Sequence, residues 1–248
     1  MEENEITHLE GLEDHLVLTQ NSDLDQVSGA SSLGQTGGGT KLSHGRKSSV
    51  RSKAANPKVS VSVLDAIYQR RAVRDYTPRP IDQAVIHALL DAAVQAPTAM
   101  DEEPWSFAVI QNKNLLNRLS DRTKELVRDE AQGSDGHHAK HSLELVNKPG
   151  FHAFYNAGTL IVIYSKFQGP FVAADCWLAA ENLMLAGCAN GLGTCVIGCA
   201  VSALNTPEWK AELKIPAAMT AFAPIIVGVP AGEIPPVPRK PPEIVIWA

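Results

Sequence analysis

Long apolar runs, paired cysteines and basic tracts interleaved with aromatics are all missing from this chain of 248 residues. No run of about eighteen uncharged apolar residues is present, which excludes a membrane-crossing helix. The first residues are acidic, unlike the basic stretch and apolar run of a secretory leader. Net charge is -5, so nucleic acid is excluded as a principal partner and small molecules are expected instead. Four cysteines, Cys176, Cys188, Cys195 and Cys199, form neither a CxxC pair nor a zinc spacing. They all sit in apolar segments and read as buried, reduced thiols of a cytosolic protein. A Walker A sequence is missing, despite the glycines near position 38. Gly191, Gly193 and Gly198 follow a helical pattern rather than a strand and are wrongly spaced for a dinucleotide fingerprint, which rules out a Rossmann site. No internal repeat is present.

What remains is apolar enough, at 44% hydrophobic residues, for one well-filled core with an extension. Residues 1–58 differ from the rest. They carry eight acidic residues before position 26, no Lys or Arg before Lys41, and then six basic residues up to Lys58. The stretch 34–49 is rich in Gly and Ser. Such a segment cannot bury enough apolar surface to offset its ordering entropy, so 1–58 is expected to be a disordered extension and 59–248 the folded domain. Residues 10–18 are compatible with a short amphipathic helix, and a partner-docking tail is the functional alternative.

Within 59–248, Ser62-Val63-Leu64-Asp65 reads as a capping box with Val63, Ala66 and Ile67 on one face of the helix that follows. Asp82 caps a second helix with Val85, Ile86, Leu89, Leu90, Ala93 and Val94 at helical spacing, ending before Pro97. A strand is predicted over 105–111, in which Trp105 and Phe107 read as core. A charged helix follows over 114–130, with Leu115, Leu119, Leu126 and Val127 inward. Residues 131–147 show no firm period and are a candidate lid. Their His137, His138 and His141 lack a third ligand, so no metal site is expected. A buried strand is predicted over 159–165, and a helix apolar on nearly every side over 171–189, in the middle of the molecule or across a subunit interface. Asn190-Gly191 stops it. The last strand is 222–229, followed by a proline-rich arm ending in Ile244-Val245-Ile246-Trp247. An apolar tip on such an arm fits wrapping around a second subunit. Loose alternation of these elements points to a mixed central sheet flanked by helices, an α+β fold.

The organising stretch is Gln69-Arg70-Arg71-Ala72-Val73-Arg74-Asp75-Tyr76, with three guanidinium groups in five residues where the first helix should end. Convergent guanidiniums suit a phosphate. Arginines in a last turn also stabilise the carbonyl end of a helix dipole with no ligand at all. Further along come Ala96-Pro97-Thr98-Ala99-Met100-Asp101-Glu102-Glu103-Pro104-Trp105-Ser106-Phe107, then Gly191-Leu192-Gly193-Thr194-Cys195-Val196-Ile197-Gly198, and finally Pro238-Arg239-Lys240-Pro241. Taken alone, the Gly191 to Gly198 patch reads as a helix stop followed by a buried strand. In this order and spacing the four patches resemble the nitroreductase family of FMN-dependent oxidoreductases, over about residues 59–248.

The resemblance implies a nitroreductase-like α+β fold, an intertwined homodimer, and FMN held non-covalently at its interface. It implies transfer of two electrons from NAD(P)H to a small electron-poor acceptor, such as a nitroaromatic or a quinone, by a ping-pong mechanism. Carried over by position, Arg70, Arg71, Ala72 and Arg74 would hold the phosphate and ribityl end, with Arg239 and Lys240 completing the phosphate site. Pro97, Thr98, Ala99, Asp101 and Glu103 would approach from the second subunit. Val196, Ile197 and Gly198, with Cys199 beside them, would lie along the isoalloxazine, where backbone N–H groups tune the ring. No residue is selected as a catalytic acid or base. Dehalogenases and flavin-fragmenting enzymes resemble the same patches, and a flavin-binding protein without turnover is the alternative from another class.

Asp101 and Glu103 stand where the family most often has amides. An ionised carboxylate accepts but cannot donate a hydrogen bond, and an acceptor-only contact disfavours an anionic reduced flavin. Glu103→Gln is therefore predicted to raise the reduction potential of the bound flavin. Spectroelectrochemical titration checks this, and an unchanged or lowered potential would argue against contact.

Overall fold

The computed structural model describes residues 61–77, 79, 81–132 and 137–248, with the backbone alone for 137–139. The extension expected over 1–58, its boundary with the domain, and Pro78 and Pro80 lie outside the described residues. Four strands form one sheet in the order β1-β2-β4-β3: β1 Trp105–Ile110, β2 Thr159–Ser165, β3 Gly193–Val196 and β4 Thr220–Gly228. Every ladder between them is antiparallel. Among the described residues the parallel component of the expected mixed sheet is confined to a bridge between Ala72 and Thr194.

Every residue of β2 is buried, because both faces of the sheet are covered. Ile161 and Ile163 point to one face, packed with Ile225 and Val227 against helices α2 (Gln83–Ala93) and α5 (Val172–Ala189). Leu160, Val162 and Tyr164 point to the other, with Ile226, against Leu116 and Leu119 of α3 (Lys113–Gln132) and Trp209. Alternation across a doubly covered sheet is why the sequence reads as one apolar run rather than every second residue. Burying such side chains contributes about 1.5–3 kcal/mol each before entropy is counted.

Helix α1 (Val63–Gln69) is capped by Ser62, whose hydroxyl accepts from the Asp65 N–H at 3.1 Å and donates to the Asp65 carboxylate at 2.7 Å. Only Ala66 of the expected apolar face is buried, while Val63 and Tyr68 are more than 70% exposed. Central helix α5 buries Cys176, Ala179, Ala180 and Leu183 and exposes Trp177 and Leu178 on its other side. It ends in a Schellman motif. Gly191 at φ 72° lets its own N–H reach Cys188 O and the Leu192 N–H reach Gly187 O, both at 2.9 Å.

Where no firm period was expected, α4 (His137–Val146) forms against α3, with Val146 buried. Its carbonyl end is held by Arg128 of α3, which donates to Asn147 Oδ1 at 3.0 Å and to Val146 O at 3.3 Å. That cap comes from another helix, so no local signal announced it. Two short helices also escaped the periodic reading, α6 (Val201–Leu204) and α7 (Pro207–Glu212). The second carries a legible start, with Thr206 as N-cap and Pro207 in its first turn. Beyond β4 the chain leaves as an extended arm, exposed from Ala231 to Ala248. No described helix is long and apolar enough to cross a membrane.

Two acids in the core carry a pH signature. Burial, reinforced by Asp175, pushes the Cys176 thiol from 9.0 up to about 11, and burial pushes the Tyr164 phenol from 10.0 up to about 12. Below the unfolded values both states are protonated and stability is unaffected. Above them the unfolded chain ionises while the folded one does not, so stability falls as pH rises. Urea midpoints are expected to be level up to about pH 8 and to decline from about pH 9, more shallowly in Cys176→Ala.

Candidate flavin site at the edge of the sheet

The first helix ends one residue before the arginines. Arg70 is its C-cap at φ -56°, ψ 132°, and donates the last helical bond to Ala66 O. From there the chain is extended and docks on the outer strand: the Val73 N–H donates to Thr194 O at 3.0 Å, beside the Ala72–Thr194 bridge. Gly193 makes this possible, since a Cβ there would lie 2.7 Å from the Val73 side chain. Tyr76 closes the segment, donating to Val73 O at 2.7 Å, while its partner Pro230 begins the arm. Sequence positions 70–74 and 196–198 are thereby brought to one edge.

The arginines differ in their engagement. Arg71 Nη1 turns back to Tyr68 O at 2.5 Å and Arg70 O at 2.8 Å, so the helix-end role is real for this residue. Arg70 Nε lies 3.2 Å from Glu181 Oε1, an ionic contact without the angle of a hydrogen bond. Arg70 Nε and Arg71 Nε are both buried and lack a hydrogen-bond partner. Arg74 is exposed, its guanidinium 5.9 Å from the centre of the Tyr155 ring. The positive field reaches neighbouring acids: burial raises the Cys195 and Cys188 thiols and the Tyr155 phenol, and arginines of this cluster oppose each rise. Orphaned cationic donors in a positive field fit a phosphate, which would supply the missing acceptors.

Of the segment expected along the flavin ring, Ile197 has its N–H engaged by Pro224 O at 2.8 Å, and the Val196 and Gly198 carbonyls accept from Cys195 Sγ and the Val201 N–H. Gly198 opens a 3-10 turn, and a Cβ placed there would meet no atom within 4 Å. Arg239 and Lys240 are exposed on the arm. The arm starts beside the arginine segment: Pro230, Ile234 and Pro236 line a cavity of about 380 Å³ with Gln69, Arg71 and Cys188. Arg239 lies three residues beyond Pro236, at most about 11 Å of extended chain.

Pro97, Thr98, Ala99, Asp101 and Glu103 lie elsewhere, near the start of α5. The Ala99 N–H donates to Asp175 Oδ1 at 3.3 Å, and Glu103 O accepts from Lys166 Nζ at 3.0 Å. Met100, Asp101 and Glu103 have φ of 57°, 54° and 44°, left-handed values that cost roughly 1–2 kcal/mol each for residues with a Cβ. Asp175 and Cys188 are thirteen residues apart on one helix, about 20 Å. Within one chain this loop and the Arg71 end of the site are therefore well separated. Asp175, Glu181, Lys166 and Tyr155 were not singled out from sequence. Asp175 carried a signal, a carboxylate in the first turn of a largely apolar helix.

An α+β fold with a cluster of arginines at its sheet edge is what the geometry gives, and comparison with known proteins supplies the family. The family model described as "Nitroreductase family" matches residues 67–228. A putative NADH dehydrogenase/NAD(P)H nitroreductase of Methanothermobacter thermautotrophicus is 30% identical over 176 residues, covering 69% of this chain and 78% of that one. The crystal structure of a nitroreductase with bound FMN from Bacteroides fragilis superposes with a TM-score of 0.65 at 26% identity, covering 75% of this chain and 98% of that one. An iodotyrosine deiodinase bound to FMN and 3-iodo-L-tyrosine shares the fold, with a TM-score of 0.59 at 21% identity over 75% and 98% of the two chains. The chain belongs to the nitroreductase family of NAD(P)H-dependent FMN oxidoreductases.

Gly193→Ala is expected to cost about 1–3 kcal/mol of stability by driving Val73 off the strand. Urea unfolding measures this, and the double change with Val73→Ala should recover part of the loss.

Proposed function

We propose that this protein passes two electrons from NAD(P)H to a small electron-poor acceptor, a nitroaromatic, a quinone or a related compound, by a ping-pong mechanism on FMN. The observation that carries the reading is the crowding of Arg70, Arg71 and Arg74 at the strand edge that leads to 196–198, with Arg71 Nε buried and without a hydrogen-bond partner. FMN when bound supplies the two-electron redox centre. Arg70, Arg71 and Arg74 hold its phosphate and ribityl end, Ala72 leaves room at the strand edge, and Arg239 and Lys240 close the phosphate site from the arm. Val196 and Gly198 bring backbone against the ring, where small residues permit close approach. The chain excludes water and admits the nicotinamide and then the acceptor to the same space, with no side-chain acid or base required.

The working form in this reading is a homodimer. Pro97, Thr98, Ala99, Asp101 and Glu103 reach the flavin of the second copy, in keeping with the long stretch of α5 between them and Arg71 in one chain. The exposed apolar side chains of α1, Trp177 and Leu178 of α5, and the arm tip, where Val245 is 94% and Trp247 87% exposed, support burial against that copy. Four unpaired cysteines suit a reducing, cytosolic setting. A dehalogenase is the second reading, favoured by the deiodinase likeness. Anaerobic bleaching by NAD(P)H, followed by recovery with a quinone but not with a halogenated phenol, separates the two.

Arg70→Ala combined with Arg239→Ala is expected to abolish FMN retention while circular dichroism and dimer mass stay unchanged. Absorbance of the purified double variant reads the outcome, and retained flavin refutes the phosphate site.

A further inference from the structure

Asp175 is a carboxylate at 4% exposure in the apolar first turns of α5. One oxygen accepts the Ala99 N–H, 76 residues away in sequence, and the other has no hydrogen-bond partner. Burying a carboxylate there is unfavourable and adds nothing to the packing of an otherwise apolar helix. What it does is fix one end of the segment 99–103. Lys166 fixes the other end twice, through Nζ to Glu103 O and through its N–H to Pro104 O at 2.7 Å. Between the clamps lie the left-handed residues Met100, Asp101 and Glu103, none of them glycine. A strained backbone persists only where its surroundings over-determine it. Among the described residues no other side chain hydrogen-bonds the Ala99 end.

We propose that Asp175 is a positioning residue for the redox site: through the Ala99 N–H it sets the backbone conformation in which Asp101 and Glu103 are presented to the flavin. The inference rests on the reading that this loop meets a bound flavin. Asp175 touches neither flavin nor acceptor; it acts through the loop. A buried carboxylate suits the task because a charge-assisted bond to a backbone N–H is stronger than a neutral one and leaves the loop no side-chain freedom. Asparagine retains an acceptor oxygen in the same place, whereas alanine removes it. The donor can be deleted independently with Ala99→Pro, because Ala99 opens a 3-10 turn after Thr98 in an extended conformation, where proline is tolerated.

The test uses the full-length, FMN-loaded protein and its apo form, as wild type, Asp175→Ala, Asp175→Asn, Ala99→Pro and the double variant with Asp175→Ala. Hydrogen exchange of the peptide covering 97–104 should accelerate about tenfold in Asp175→Ala, in apo and loaded protein alike, and return toward wild type in Asp175→Asn. The potential of the bound flavin and the KM for a quinone acceptor should move in Asp175→Ala, recover in Asp175→Asn, and show no further change when Ala99→Pro is added. Unchanged exchange, or additive effects of the two single changes, overturns the proposal. Accelerated exchange with an unmoved potential, while Glu103→Gln does shift it, overturns the link from Asp175 to the redox site. If neither change moves the potential, the reading of a loop against the flavin fails, and the functional half of the inference fails with it. Should Asp175→Ala not fold, Ala99→Pro against Asp175→Asn carries the same comparison.

Discussion

The site depends on the close approach of Val73 to Gly193. An extended segment leaving a helix has no reason to stay at a sheet edge unless its backbone is paired and its side chain has room. The bond from the Val73 N–H to Thr194 O provides the first and the missing Cβ of Gly193 the second. Once that contact is made, the direction of the chain from Arg70 to Tyr76 is fixed, and three guanidiniums are delivered beside the strand that leads to Gly198. Tyr76 and Pro230 then secure the start of the arm next to the same place.

The features legible in the sequence were those whose cause is local. Ser62 and Asp65, the Asn190-Gly191 stop and the buried run of β2 each announce themselves within a few residues, and the structure has them where the pattern put them. Family resemblance added the assignment of FMN and NAD(P)H, which no periodicity could have supplied. Illegible features have their cause far away. The end of α4 is capped from α3 by Arg128, so no local stop signal marks residues 137–146, although they are helical. Loose alternation of elements points to a mixed sheet, whereas the ladders are antiparallel, because strand direction is set by pairing partners that a single sequence does not display. The exposure of α1 was hidden for the same reason: Val63, Ala66 and Ile67 share a helical face, but the core reaches only Ala66.

Helix α5 contacts both the 99–103 loop and the arginine segment. Near its start Asp175 holds the loop of left-handed residues, at its middle Glu181 meets Arg70, and at its end the Schellman turn releases the chain into β3. Asn182 also donates to Ala92 O, tying the same helix to α2. A helix with three such attachments converts burial of its apolar face into fixed distances between groups far apart in sequence.

Arg70 and Arg71 each rest on a neutralising partner, one on the Glu181 carboxylate and the other on the carbonyl end of α1. Like charges packed this closely would otherwise repel one another and fray the helix end they follow. With countercharge built into the scaffold, the polypeptide tolerates its own cationic crowding before any nucleotide arrives. The countercharge that these guanidiniums need is thus carried by the polypeptide itself.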